Sequence, residues 1–319
     1  MQDLHHGQEI YIFFNLHGTK GLIGLLISMI LIGLVCYKTF VFVLKEDINN
    51  YNEMLIKITG NKTFLSIPLN LIVQIFLLAT FYIMVAGFSA YFYQELNIGR
   101  IIGGIIIIGL SLLTFYKGIN GIIKVNLYLI PILILLTMFL GFKNNNDLIN
   151  VQVTKFSTGW TWIKYSILYA SYNSIVLIPI IIGLKDYIKN KKENVIASTI
   201  VTIIMCVIGI VLYLILNKFK NEIGNIEIPT VFIASKIGIV YKYLYGITIL
   251  IGIFTSAVSA GYSFLINCTK TKRDYNFISI LICIGAIIFS NFSFSNLIDL
   301  IYPIFGYLGF VQLIFLLKY

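Results

Sequence analysis

Residues 7–44 read GQEIYIFFNLHGTKGLIGLLISMILIGLVCYKTFVFVL. The later part, 21–44, is an unbroken apolar run. It is long enough to cross a bilayer, since a spanning helix needs about 20 apolar residues. Eight more such runs follow, at 67–93, 98–116, 121–141, 162–184, 195–216, 243–268, 276–292 and 297–317. A short turn carrying Lys117, Gly118 and Gly121 separates 98–116 from 121–141. Both sides of that turn have full spanning length, so they count as two helices. The stretch ahead of residue 21 holds neither another span nor the apolar core of a signal peptide.

Composition sets the class. Of 319 residues, 59% are apolar and 11% charged, and mean hydropathy is +0.93. A soluble domain needs many more charges to cover its surface. The fold class is therefore an all-α polytopic membrane protein whose main partner is the lipid bilayer. Continuous apolar runs exclude a transmembrane β-barrel, whose strands alternate. The net charge of +10 is not a nucleic-acid footprint, because the basic residues cluster in short loops where they orient helices. Cys36, Cys206, Cys268 and Cys283 lie within or at the ends of apolar runs and form no CxxC. Neither a disulfide nor a metal cluster is expected from them.

Basic residues give the orientation. Lys185, Lys189, Lys191 and Lys192 fill one loop, and Lys270, Lys272 and Arg273 fill another two helices later. Both loops are expected on the cytoplasmic side. Lys45, Lys57, Lys62, Lys117 and Lys318 fall on that side too, which brings the total to twelve. Eight lie opposite: Lys20, Arg100, Lys143, Lys155, Lys218, Lys220, Lys236 and Lys242. Trp160 and Trp162 suit an aromatic anchor at the outer interface. The expected location is a bacterial cytoplasmic membrane, with the C-terminus inside and the N-terminal end of run 21–44 outside. That start is one helix short of a chain that begins in the cytoplasm.

Loop lengths repeat. Run 21–44 is followed by a long loop and three runs, and run 195–216 by another long loop and three runs. The second series has 162–184 in front of it. An equivalent helix before the first series would make five plus five, and an odd number per copy inverts the second copy. That is the architecture of many secondary transporters. The expected division is a single membrane domain, 1–319, with 1–142 as a first repeat lacking its first helix and 162–319 as a second.

In such transporters the first helix of each repeat is broken, and its free backbone holds the solute. Run 162–184 carries Tyr169-Ala170-Ser171-Tyr172-Asn173-Ser174 between apolar flanks, with Pro179 beyond. A break there would expose Ser171, Tyr172, Asn173 and Ser174 as substrate ligands, since unpaired backbone survives only against a cavity or covering protein. The other reading is a kinked helix whose polar groups bond to neighbouring helices. Asn70 and Gln74 lie one turn apart and either line the cavity or join helices. Thr255 and Ser256 offer adjacent hydroxyls for sodium, a hard cation that takes oxygen ligands; the alternative is small residues packing closely. Tyr302-Pro303 and Gly306 suggest a kink or gate. No buried carboxylate chain or arginine ladder runs through the spans, which favours a neutral or zwitterionic solute. His5 and Glu9, at i and i+4, are too few for a metal site. No nucleophile–base set, phosphate loop or zinc spacing supports an enzyme.

Gly7-Gln8-Glu9-Ile10, Phe13-Phe14 and Gly18 to Gly24 resemble the start of the YkvI-like bacterial membrane proteins. Ala86-Gly87, Val125-Asn126 with Pro131, Leu168-Tyr169 through Asn173, Ile228-Pro229, and Thr255 with Ala257-Val258 extend the resemblance to the end of the chain. That family is similar to a distant branch of the amino acid–polyamine–organocation superfamily. The resemblance implies a five-plus-five permease for a small amino acid or related solute, working by alternating access with sodium or proton coupling. It adds Gly7, Gln8 and Glu9 to the substrate residues. Family members carry a Gly/Ala-rich helix just before Gly-Gln-Glu, and Met1 to His6 stands there instead. The expectation is thus a late start or a truncation, the latter inactive. A ligand sensor with the same fold and no net transport is the alternative function.

Overall fold

A computed structural model describes residues 7–48, 50–60, 62–118, 120–144, 159–183, 185–187, 190–224 and 226–318. His5 falls outside them. In chain order the helices are α1 (Gln8–Phe13), α2 (Thr19–Glu46), α3 (Tyr51–Ile58), α4 (Thr63–Leu96), α5 (Arg100–Lys117) and α6 (Asn120–Lys143). They continue with α7 (Thr161–Gly183), α8 (Lys191–Lys218), α9 (Pro229–Ile237), α10 (Ile239–Cys268), α11 (Lys272–Phe289) and α12 (Phe294–Lys318). Among the described residues there is no strand.

Each of the nine apolar runs overlaps one helix along most of its length. Among the described residues, eight helices are long and apolar enough to cross a membrane: α2, α4, α5, α6, α7, α8, α10 and α12. Against the nine spans expected, α11 is the exception. It has 18 residues, but Lys272, Arg273 and Asp274 open its first turn.

The two long loops each hold a short helix that hydropathy alone does not reveal. In α3, Tyr51, Met54, Leu55 and Ile58 are buried, an i, i+3, i+4, i+7 face. With these included, α2 to α6 are 28, 8, 34, 18 and 24 residues long. Helices α8 to α12 are 28, 9, 30, 18 and 25 residues long.

Side-chain caps set three of the helix starts. Asn50 Oδ1 accepts from Glu53 N at 2.9 Å, Asn190 Oδ1 from Glu193 N at 2.9 Å, and Thr271 Oγ1 from Asp274 N at 3.1 Å. Each satisfies an N–H that a helix start leaves without an intrahelical partner.

The chain divides into two compact units. The first comprises Met1–Asn15, Leu77–Val153 and Val211–Asp299; the second comprises Leu16–Phe76, Thr154–Ile210 and Leu300–Tyr319. Each unit draws on both halves of the chain, so neither coincides with 1–142 or 162–319.

In the second unit α2 runs along α7. Gly24 abuts Ser166 and Trp162, and Ser28 Oγ donates to Ser166 O at 3.0 Å and to Gly24 O at 2.7 Å. Helix α8 meets α2 through one stripe. Asn194 Nδ2 donates to Tyr37 O at 3.1 Å, Thr202 lies against Gly33, and Gly209 lies against Leu25 and Met29. Lipid tails are as apolar as leucine, so small residues and interhelical hydrogen bonds decide such contacts.

In the first unit α10 packs on α5, α6, α9 and α11. Gly246 abuts the Tyr91 ring, and Gly261 abuts Phe115 and Phe81.

Candidate functional site

The polar segment of α7 lies in the second unit, and here the expectation of a broken helix is corrected. Helix α7 is continuous from Thr161 to Gly183, through Ser171–Ser174 and past Pro179. The reason is local. Ser171 Oγ donates to Ile167 O at 2.7 Å, Asn173 Nδ2 to Tyr169 O at 2.9 Å, and Ser174 Oγ to Ser171 O at 2.6 Å. The side chains return their hydrogens to carbonyls of their own helix, so polarity here does not require unwinding. Helix α12 likewise continues through Pro303.

Two elements, α4 and α12, converge on this segment. The Tyr172 ring lies tilted against Tyr302 of α12 with centroids 4.5 Å apart, and meets Tyr169 edge-on at 5.2 Å. Phe76 of α4 lies 6.2 Å from Tyr172, 6.1 Å from Tyr302 and 4.6 Å from Phe305. One turn of α12 further on, glycines let the backbones touch. A Cβ on Gly306 would lie 2.9 Å from Leu168 O, and one on Gly309 would lie 2.7 Å from Ser171 O. Toward the start of α4, Gln74 Nε2 donates to Asn70 Oδ1 at 3.3 Å, so these two share a face as expected. The second unit thus holds Asn70, Gln74, Ser171, Tyr172, Asn173 and Ser174. Phe76 was absent from the sequence reading, because one phenylalanine in an apolar run gives no signal.

The other five expected residues belong to the first unit. Gly7 has φ +81°, a left-handed conformation that favours glycine, and a Cβ there would meet Thr230 Cγ2 at 2.9 Å. Gln8 and Glu9 are each only 2% exposed. Gln8 Nε2 donates to Ser295 Oγ at 2.5 Å. Asn15 Nδ2 donates to Tyr213 O at 2.9 Å, and Lys220 Nζ to Asn15 O at 3.2 Å. Residues 7–15 are therefore built into the first unit.

Thr255, on α10, is fully buried and donates to Gly252 O at 3.0 Å; Ser256 beside it is half-buried. A hydroxyl that donates its hydrogen keeps lone pairs for a cation. These two oxygens suit sodium chemically but are fewer than a hard cation takes. No group of three His, Cys, Asp or Glu able to hold a metal occurs among the described residues.

The strongest electrostatic feature of the first unit went unread in the sequence. Both Glu227 carboxylate oxygens pair with the Arg100 guanidinium. Glu227 Oε2 also accepts from Phe294 N at 2.7 Å, at the start of α12. Gln94 Oε1 accepts from Glu227 N at 2.9 Å and from Ile228 N at 3.3 Å. Gln94 Nε2 donates to Glu95 Oε1 at 2.6 Å, and Glu95 pairs with Lys242 at 2.9 Å. This chain of charges ties the ends of α4, α5, α10 and α12 to the segment before α9. Arg100 and Glu227 are too far apart in sequence for any local pattern to pair them.

No family model matches the chain. The chain is 28% identical over 316 residues to the uncharacterized membrane protein YkvI of Bacillus subtilis (strain 168), covering 95% of this chain and 87% of that protein. It is 24% identical over 318 residues to the uncharacterized protein YyaD of the same organism, covering 98% and 91%. The similarity therefore spans nearly the whole helical array and agrees with a multi-pass membrane protein. Neither name states a substrate.

Proposed function

We propose that the protein is a secondary transporter of the inverted-repeat class, carrying a small amino acid or related solute across a bacterial cytoplasmic membrane by alternating access. The observation that supports this most is the doubled series of helix lengths, 28, 8, 34, 18, 24 and then 28, 9, 30, 18, 25. Five spanning candidates, α2, α4, α5, α6 and α7, precede the second series. If each crosses once, the second series enters the membrane in the opposite sense.

In this reading the α7 face at Ser171–Ser174, with Asn70 and Gln74, recognises the solute. Gly7 and Gln8 shape the start of α1 in the first unit. Buried Glu9 is the titratable group for proton coupling, and Thr255 with Ser256 provides the sodium alternative. Glu9 is 2% exposed, and an ionisable side chain buried in a membrane protein is a functional candidate by default.

The test is uptake by proteoliposomes of a labelled amino-acid panel under sodium or proton gradients. Accumulation of one member above its equilibrium level supports the proposal. Absence of gradient-driven uptake for the whole panel, with protein shown to be folded and inserted, would overturn it.

A further inference from the structure

An open-sided groove of about 340 Å³ runs along the second unit, lined by residues 30, 33, 34 and 37 of α2 and 195, 198, 199, 202 and 203 of α8. We infer that this groove binds one acyl chain of an anionic phospholipid, with the headgroup phosphate held by Lys38, Lys191 and Lys192. The inference does not depend on transport; it needs only that α2 and α8 span a membrane.

Glycine at position 33 lets α2 and α8 come close at the floor of the groove, since a Cβ there would clash with Thr202. Gly33 lies against Thr202, which leaves a furrow between the exposed rims Ile30 and Leu34 on one side and Val195 and Ile203 on the other. Two of its floor hydroxyls, on Ser198 and Thr202, are bonded within α8. Thr202 Oγ1 donates to Ser198 O at 2.7 Å, and Ser198 Oγ to Asn194 Oδ1 at 3.1 Å. A hydrocarbon chain needs no hydrogen bond from them. From Ile30 to Tyr37 the furrow is roughly 10 Å long, at 1.5 Å rise per residue. That accommodates a good part of one acyl chain within a single leaflet.

Charge selects the headgroup. Lys38 follows Leu34 by four residues on α2, which puts it on the face that forms the rim. Lys191 and Lys192 precede Val195 by four and three residues on α8 and reach the same end of the groove. Lys191 and Lys192 are exposed, and Lys38 is half-buried. None of the three makes an ion pair with a described residue. Among the described side chains, the acidic neighbours are engaged elsewhere: Glu193 is bonded to Asn190, Asp47 to Lys185, and Glu46 to Lys57. Three cations above an apolar furrow match a phosphate on an acyl chain, and long basic side chains reach the headgroup level by snorkelling.

The experiment titrates the detergent-purified full chain with phosphatidylglycerol, with phosphatidylcholine of the same chains, and with glycerol phosphate, which has none. Native mass spectrometry counts retained lipid, and thermal unfolding reads stabilisation. Phosphatidylglycerol is expected to be retained with a preference on the order of ten-fold over phosphatidylcholine. Glycerol phosphate is expected to neither bind nor stabilise. The combined variant Lys38→Ala, Lys191→Ala and Lys192→Ala, all outside the core, should abolish the headgroup preference. Thr199→Phe, which fills the furrow from an exposed position, should lose both lipids. Equal retention of the two lipids by the unaltered protein would overturn the inference. So would an unchanged preference in the lysine variant, or full retention in Thr199→Phe.

Discussion

Replacing Glu227 by alanine tests the network that ties the ends of the first unit. The Arg100 and Glu227 side chains are 19% and 13% exposed, so the pair is mostly but not fully buried. Exposed pairs are worth about 0.2–1 kcal/mol, and removing one partner of a fully buried pair costs about 3–5 kcal/mol. The intermediate burial puts this loss at roughly 2 kcal/mol. Glu227→Ala also strips the acceptor from Phe294 N, a helix-start bond worth about 1 kcal/mol, for a total near 3 kcal/mol. Arg100→Ala removes the same pair and its position over the Tyr93 ring, 4.7 Å from the centroid. Glu227→Gln keeps a carbonyl oxygen for Phe294 N and should cost less than Glu227→Ala. The assay is reversible unfolding in mixed detergent–dodecyl sulfate micelles, run on both single alanine variants and the double variant. The double variant should be less destabilised than the sum of the singles by at least about 1 kcal/mol. Additivity within about 0.5 kcal/mol would refute the coupling, and with it the network as a stabilising unit.

Gly309→Ala should destabilise the α7–α12 contact by about 1–3 kcal/mol, because its methyl would sit 2.7 Å from Ser171 O and backbone cannot yield. Gly109→Ala, with nothing within 4 Å of the new carbon, should be neutral or slightly stabilising in the same unfolding assay. Ser28→Ala removes the hydroxyl joining α2 to Ser166 O and should cost about 1 kcal/mol, read from the same transitions. Under the proposed function, Glu9→Gln should abolish accumulation driven by a proton gradient while leaving solute counterflow intact. Loss of both, or of neither, would remove Glu9 as the coupling group.

The helices themselves were legible in the sequence because bilayer thickness sets a minimum apolar length, and that is a property of each local segment. The turn at Lys117–Gly118 is equally local; the caps at Asn50, Asn190 and Thr271 are local too, each serving an N–H three residues on, although the apolar runs did not mark them. Helices α3 and α9 escaped because they are shorter than a span. The buried face of α3, Tyr51, Met54, Leu55 and Ile58, was nevertheless present as a periodicity. Of the candidate site, the residues could be listed but their arrangement could not. Ser171–Ser174 spells polarity inside a span, and polarity can be met by a cavity, by a neighbour or by the helix's own carbonyls. The structure chose the last. What distant residues decide is the packing on that segment: Gly309 brings α12 against the α7 backbone and Tyr302 lies beside Tyr172, each more than 120 positions away. The Arg100–Glu227 pair, 127 residues apart, has the same character. Local length and periodicity decide which segments become helices; the pairing of distant small and charged residues decides which helices touch, and only the folded chain brings those pairs within range.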